Sequence, residues 1–353
     1  MSWSKIIGHE ERIAAFRQIV ARHRLAHAYL FVGPAGVGKR TFALELAKAL
    51  LCEGPGKAPD ALEACDQCDA CLWVDAGTHP DLFQVRRPED KNEMPIEVMT
   101  DCCRNFSLKP ARGRGKIGIV DDADDFNEES ANCFLKTLEE PPPGSLFLLI
   151  GTSLDRQLPT IKSRCQMVRF APLPDAQVRL ILQKQGIEEA QLDRLVRLSA
   201  GSPGQAVALE DESLWAFRRE ALQALAQPKM DSVALGKEFV KFAEKVSKET
   251  ALQRRWAYQA LKLLIDVLID AMRLQAGAPA RSAESAELPS LAALAQKAQP
   301  DTIHAMLERC LETETQLSRY VQLSLVLEAL TDALGQMLDQ NGPLPLRYQG
   351  FTG

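Results

Sequence analysis

No stretch of this sequence approaches the roughly 18 consecutive apolar residues that a membrane-spanning helix requires, and no signal-like pattern opens it, because Met1 leads into Trp3, Lys5 and Glu10. A cytoplasmic chain without membrane partners is therefore expected. Positive charge is not in excess either. Lys and Arg number 42 against 47 Asp and Glu, a net charge of −5, which argues against coating nucleic acid through bulk electrostatics and leaves only a local basic surface possible. The cysteines do not make an even set: there are nine, and in a reducing compartment they do not read as a disulfide framework. Internal repeats are absent, and strand signals stop after about Ala171. What remains is an ordinary globular composition, long enough at 353 residues for two or three domains.

The first half alternates short apolar runs with helical patterns. The runs are Ala28–Val32, Leu82–Val85, Ile117–Val120, Leu146–Ile150 and Met167–Phe170, and the helical segments include Thr41–Leu51 and Glu128–Leu138. Runs apolar on both faces and separated by helices predict a parallel sheet covered on two sides. Residues 172–210 predict two or three short helices broken by Gly186 and by Gly201-Ser202-Pro203-Gly204. From Glu212 onward the pattern is helical, with one stripe at Trp256, Leu263, Leu264, Val267 and Met272. A second runs through Leu323, Val326, Leu327, Leu330, Leu334 and Met337. The stripes fit either coiled-coil partners or an ordinary bundle, and the bundle is preferred. Gln275–Ser290, rich in Ala, Ser and Pro, reads as a connecting loop.

The segment GPAGVGKRT, residues 33–41, follows the first apolar run and opens a helix. It has the form of a phosphate-binding loop, in which backbone N–H groups and a helix N-terminus cradle phosphate and the lysine reaches the outer phosphates. The alternative is a tight turn with Lys39 merely exposed. Gly33, Gly36, Gly38, Lys39 and Thr41 form the candidate cofactor-binding set, joined by Asp121 and Asp122 where Ile117–Val120 runs into carboxylates. Two departures stand against catalysis. The position after the lysine, where a hydroxyl would hold magnesium, is Arg40, and Thr41 is turned by about 100° from that direction. Asp122 stands where such ATPases carry a longer glutamate, and a shift of about 1 Å can cost about a hundredfold in rate. Hydrolysis is expected to be lost, and binding of ATP with Mg²⁺ is left open, weak or absent.

Cys52, Cys65, Cys68 and Cys71 supply four soft ligands, the last three at successive C-x-x-C spacing. Four thiolates suit a closed, structural Zn²⁺ site with no place for a catalytic water. The alternative is a set of unliganded thiols. Cys102, Cys103, Cys133, Cys165 and Cys310 have no comparable spacing and read as packing residues.

RLAHAYLFVGPAGVGK (24–39), the four-cysteine insertion, AGTHPDLFQV (76–85), NCFLKTLEEPPPGSLFLLIGTS (132–153) and IKSRCQMVRF (161–170) occur in this order. Over roughly residues 3 to 210 the chain closely resembles the clamp-loader subunits of bacterial DNA polymerase III, and its helical remainder matches that family's collar by length and pattern. The resemblance implies an α/β plus all-α fold. An AAA+ parallel-sheet core with a zinc-binding insertion (52–71) would occupy 1–170, a small helical lid 171–211, and a helical collar for oligomerisation 212–353. Of the family's two related branches, the ATP-hydrolysing gamma/tau type and the delta-prime type, the sequence resembles the second. Arg40, Asp122, the THPD of 78–81 and the cation-free Ser-Pro-Gly-Gln after Gly201 all favour it. The first spacer of the cysteine group is longer than the resemblance leads one to expect.

The resemblance also implies a role for Arg164 within Ser163-Arg164-Cys165: it would reach in trans into the ATP site of an adjacent gamma/tau subunit. There it would stabilise charge on the transferred phosphoryl group, an effect of about 10³–10⁵ in rate. From the tripeptide alone, a surface arginine paired with a carboxylate is the simpler account. The implied partners are gamma/tau and delta subunits in a hetero-oligomer, and through them the sliding clamp and primed DNA. The rival reading is an ATP-hydrolysing gamma/tau-type subunit, and a more distant one is a free-standing DNA-binding ATPase. Lys109–Lys116, with four basic residues in eight, reads as a solvated turn or a primer–template contact. Glu139 and Glu140 point about 100° apart on a helix ended by proline, so they do not form a paired acid/base site. His27 and His79 read as structural.

Overall fold

The computed structural model describes residues 2–54, 61–88, 91, 93–246, 249–318 and 321–340. Residues 55–60 of the first cysteine spacer and the end of the expected collar, 341–353, lie outside the described residues. The chain divides into two compact units, 1–207 and 208–353.

In the first unit the elements alternate. They are α1 (Glu10–Ala21), β1 (Ala28–Val32), α2 (Lys39–Leu51), α3 (Asp69–Asp75), β2 (Leu82–Val85), α4 (Ile96–Ser107), β3 (Lys116–Val120), α5 (Glu128–Glu139), β4 (Ser145–Gly151), α6 (Pro159–Lys162) and β5 (Gln166–Arg169). The strands form one parallel sheet in the order β2-β3-β4-β1-β5. Their side chains alternate between two cores, as the pleat requires. Tyr29 and Phe31 of β1 with Leu146, Leu148 and Ile150 of β4 face Phe16, Phe42 and Leu46. Leu30 and Val32 with Phe147 and Leu149 face Met99, Phe106 and Phe134. Both faces are covered, so continuous apolar runs were the right signal for these strands. Each predicted strand lies within one residue of its observed bounds.

Helices α7 (Asp175–Lys184), α8 (Glu189–Leu198) and α9 (Pro203–Ala208) follow. Pro203 and Gly204, read from the sequence as a break, instead begin α9. Proline fits a first helical position because its φ is preset and its missing N–H would be unpaired there anyway.

The second unit is helical: α10 (Glu212–Ala226), α11 (Ser232–Lys245), α12 (Thr250–Gln275), α13 (Leu288–Lys297), α14 (Pro300–Ser318) and α15 (Leu323–Gln340). The second stripe is buried along α15, which packs on α11 and α14, while α12 packs on α10, α11, α13 and α14. The two stripes thus serve a bundle rather than one coiled-coil seam. The connecting segment after Gln275 is pinned from inside. Asp270 accepts backbone N–H bonds from Arg281 (2.6 Å), Ser282 (2.8 Å) and Ala283 (2.9 Å). The buried Arg218 donates to Glu287 (3.0 Å) and to the Ser282 hydroxyl (3.1 Å). No described helix is long and apolar enough to cross a membrane.

Candidate functional site

The strand order places the ends of β1, β3 and β4 side by side, and in sheets of this kind ligands bind beyond the carboxyl ends of the strands. Gly33 follows β1, Asp121 follows β3 and Thr152 follows β4. A cavity of about 500 Å³ opens there. Ile6, Ile7, Leu173 and Ile181 line it alongside Gly36, Gly38, Lys39, Arg40, Thr41, Asp121 and Asp122. All the sequence-predicted cofactor residues line this one space except Gly33, the first residue of the loop.

The loop's own bonding is the decisive detail. Gly38 caps α2 at φ 101°, a left-handed conformation that glycine adopts without strain. Lys39 is buried, and its ammonium donates to the carbonyls of Gly33 (2.5 Å) and Pro34 (2.7 Å). Burial lowers this lysine to about 8, against the opposing pull of Asp124 and Asp121. Arg40 donates to Gln84 Oε1 at 3.1 Å and lies 3.8 Å from a carboxylate oxygen of Asp121. A guanidinium therefore sits beside the acid expected to hold magnesium. Asp122 occupies the left-handed region at φ 55°, and burial, followed by the charge of Asp121, raises its carboxyl.

The start of α9 closes on the loop. Ser202 Oγ donates to Ala35 O at 2.7 Å and Gly204 N to Gly36 O at 3.0 Å. A methyl group on Gly36 would come within 2.6 Å of the Ser202 hydroxyl oxygen and 2.9 Å of Gly204 Cα, so only glycine permits this approach. Carbonyls of residues 33 to 36 are thus committed to Lys39 or to α9.

Sequence reasoning missed Asp124. It accepts from Thr152 N (2.7 Å), Thr152 Oγ1 (2.6 Å) and the Gln157 amide, tying the end of β3 to the end of β4. The third carboxylate of Asp121-Asp122-Ala123-Asp124 and a threonine just past an apolar run were the available signals. His9 was missed as well: its ring lies against Phe170, its Nε2 is 2.8 Å from Val37 O, and it lines the cavity.

The cysteine group forms a second centre. The four sulfurs lie within 4.8 Å of one another, with Cys52–Cys68 and Cys65–Cys71 separations of 4.0 Å. A tetrahedral ion with bonds of about 2.3 Å would set sulfurs about 3.8 Å apart, so the cluster is compatible with a structural metal. Backbone N–H groups of Gly54 and Cys65 point at Cys52 Sγ, and that of Cys68 at Cys65 Sγ. Backbone bonds from Gln67 and Cys68 help lower Cys65 to about 6, whereas burial pushes Cys71 up. Buried Lys48 of α2 holds this module through Asp66 (2.9 Å) and Asp75 (3.3 Å), with Glu45 of its own helix at 3.2 Å.

Arg164 lies apart from both centres, following α6, on the surface. Its guanidinium donates to Thr160 O (3.1 Å), Ser163 Oγ (3.0 Å) and the Glu139 carboxylate. The basic turn is less free than a solvated loop. Arg112 makes a two-pronged pair with Glu53, beginning at 3.0 Å, and lies over the Trp73 ring. Lys116 is buried and donates to Asn105 O. Asp81 caps the turn at the amides of Ala111 (2.7 Å) and Arg112 (2.8 Å). His79 Nδ1 accepts from Asp81 N at 3.0 Å, in keeping with a structural role.

Residues 8–174 match the family model for DNA polymerase III, delta subunit, and residues 212–333 that for DNA polymerase III, delta subunit, C terminal. DNA polymerase III subunit delta' of Escherichia coli is 31% identical over 297 residues, 83% of this chain and 84% of that protein. The chain belongs to the delta-prime family of DNA polymerase III subunits. The Pseudomonas aeruginosa member is 37% identical over 216 residues, and this match spans 60% of the chain and just under two thirds, 64%, of that relative. Escherichia coli subunit tau is 34% identical over 220 residues, which is only 33% of its length. The two delta-prime matches thus span far more of their proteins than the tau match does.

Proposed function

We propose that this chain acts as the stator of a sliding-clamp loader: it hydrolyses no ATP itself and supplies Arg164 in trans to the site of a neighbouring gamma/tau subunit. The observation that carries this reading is the contrast between the two positions. Lys39 is spent on its own loop's carbonyls and Arg40 stands against Asp121, while Arg164 is presented at the surface. ATP with Mg²⁺ would bind weakly or not at all. Residues 1–170 would serve as the core, 171–211 as the lid and 212–353 as the collar that assembles with gamma/tau and delta subunits, in the cytoplasm. The sliding clamp and primed DNA would be engaged through the complex.

The Cys52, Cys65, Cys68 and Cys71 site would hold Zn²⁺. Its chemistry there is structural: four thiolates fix the 52–71 insertion on α2 and leave no open position for water. Arg112 is paired with Glu53 and Lys116 is buried on Asn105 O, so two of the four basic residues of the turn already have partners within the chain, which weakens the free-standing DNA-binding reading. The ATPase reading keeps one observation in its favour, the cavity of about 500 Å³ around Lys39. Arg164→Ala in a reconstituted loader tests the proposal. A phase of single-turnover ATP hydrolysis about 10³-fold slower is expected at the neighbouring site, and unchanged kinetics would overturn the trans role.

A further inference from the structure

The Glu139-Glu140-Pro141-Pro142-Pro143 segment has no part in either centre, yet its first carboxylate holds Arg164. Glu139 is the last residue of α5, and Glu140 leaves the helix at φ −121°, ψ 70°, outside the α region that a following proline disfavours. A negative charge at a helix C-terminus opposes the macrodipole, so Glu139 is poorly placed for the stability of α5. Its partner is a cation from another element: Arg164 Nη2 donates to Glu139 Oε1. On the other nitrogen, Nη1 donates to Thr160 O at 3.1 Å and Ser163 Oγ at 3.0 Å. Of five guanidinium N–H donors, these three bonds use three among the described residues and leave two for an incoming acceptor.

Resting on the trans-arginine reading above, we infer that Glu139 is the positioning residue of Arg164, holding its guanidinium while two of its N–H donors keep no partner among the described residues. A free surface arginine loses rotamer freedom when it engages a phosphate, whereas a guanidinium already held in plane has lost much of it beforehand. The pair is half exposed, with side-chain exposures of 32% for Arg164 and 50% for Glu139. The carboxylate is therefore weakened by water as a competitor for the guanidinium and acts through geometry. An oriented donor is worth most when charge develops on the acceptor, so the effect falls on the chemical step rather than on nucleotide affinity.

The test is single-turnover ATP hydrolysis by a loader reconstituted with Glu139→Gln, with assembly followed by gel filtration. The phase assigned to the neighbouring site slows about tenfold, while that site's ATP affinity stays unchanged. Glu139→Asp recovers part of the rate, and Glu139→Gln adds nothing in an Arg164→Ala background. Ser163→Ala, which removes the second hold without touching α5, slows the same phase by a smaller factor and serves as the parallel variant if Glu139→Gln assembles poorly. An unchanged or faster phase in the assembled Glu139→Gln loader, or a full additional loss on top of Arg164→Ala, overturns the inference. If Arg164→Ala alone has no effect, it is the underlying trans role that fails.

Discussion

Arg40 Nη1 stands 3.8 Å from a carboxylate oxygen of Asp121, with Nη2 3.1 Å from Gln84 Oε1. The pair joins the first turn of α2 to the end of β3, the two places between which a loop of this form holds its metal. A divalent ion bound by Asp121 would meet the guanidinium at close range, and only partial screening by water would relieve the repulsion. Arg40→Thr removes that charge and supplies a hydroxyl. The variant is expected to gain at least about tenfold in affinity for ATP with magnesium over ATP with chelator, measured by calorimetry. Equal affinities in the two conditions would show that Arg40 is not what excludes the metal.

The cysteine module predicts about one zinc per chain, measured by elemental analysis of reduced protein. Lys48 is its anchor on α2. Burial opposes the charge of Lys48, but Asp66, Glu45 and Asp75 outweigh it and raise the ammonium. Lys48→Met leaves these carboxylates without their common cation, and a loss of about 3–5 kcal/mol is the scale for breaking a buried pair, reduced here because Asp66 and Asp75 are partly exposed. Zinc release to a chelator should accelerate in this variant. An unaltered release rate would separate the module from α2.

Phe42 is fully buried on α2, with ring centroids 5.3 Å from Phe170, 5.4 Å from Trp3 and 5.7 Å from both Phe16 and Phe31. Phe42→Ala should destabilise the first unit by about 3–5 kcal/mol, through lost burial and the cavity left behind. Denaturant unfolding measures it. A loss under about 1 kcal/mol would mean that the aromatic cluster collapses to fill the gap.

Much of this architecture is legible in the sequence for a physical reason. Strands buried on both faces must be apolar throughout, and a parallel sheet needs helices between them, so Ala28–Val32 and Ile117–Val120 stand out without alignment. The glycine loop and the cysteine spacing are local constraints, and both groups come together in space. Bonds between distant residues leave no such trace. Asp124 with Thr152, Arg218 with Glu287 and Glu139 with Arg164 are each set by packing of separate elements. Pro203 misleads because the same residue ends one helix or starts another according to its neighbours.

Stability of the second unit should depend on pH through Asp266. Burial, ahead of its charged neighbours, pushes this carboxyl from 3.8 up to about 6. With the folded value raised, the folded state holds the proton more tightly, so this group's contribution is greatest below about pH 4 and is lost as pH rises through 6. Asp266→Asn should therefore leave stability at pH 4 nearly unchanged and raise it at pH 7 by on the order of 2 kcal/mol. Thermal melts at the two values check this. An equal change at both would assign the effect to packing.

The division of labour between Lys39 and Arg164 is tested most directly by single-turnover ATP hydrolysis by loaders reconstituted with Lys39→Ala or with Arg164→Ala. The Lys39 variant is predicted to match the unmodified complex, because Lys39 donates to the carbonyls of its own loop at Gly33 and Pro34, while the Arg164 variant slows the neighbouring site by about 10³-fold. Loss of turnover with Lys39→Ala and none with Arg164→Ala would contradict the account and make this chain an ATPase in its own right.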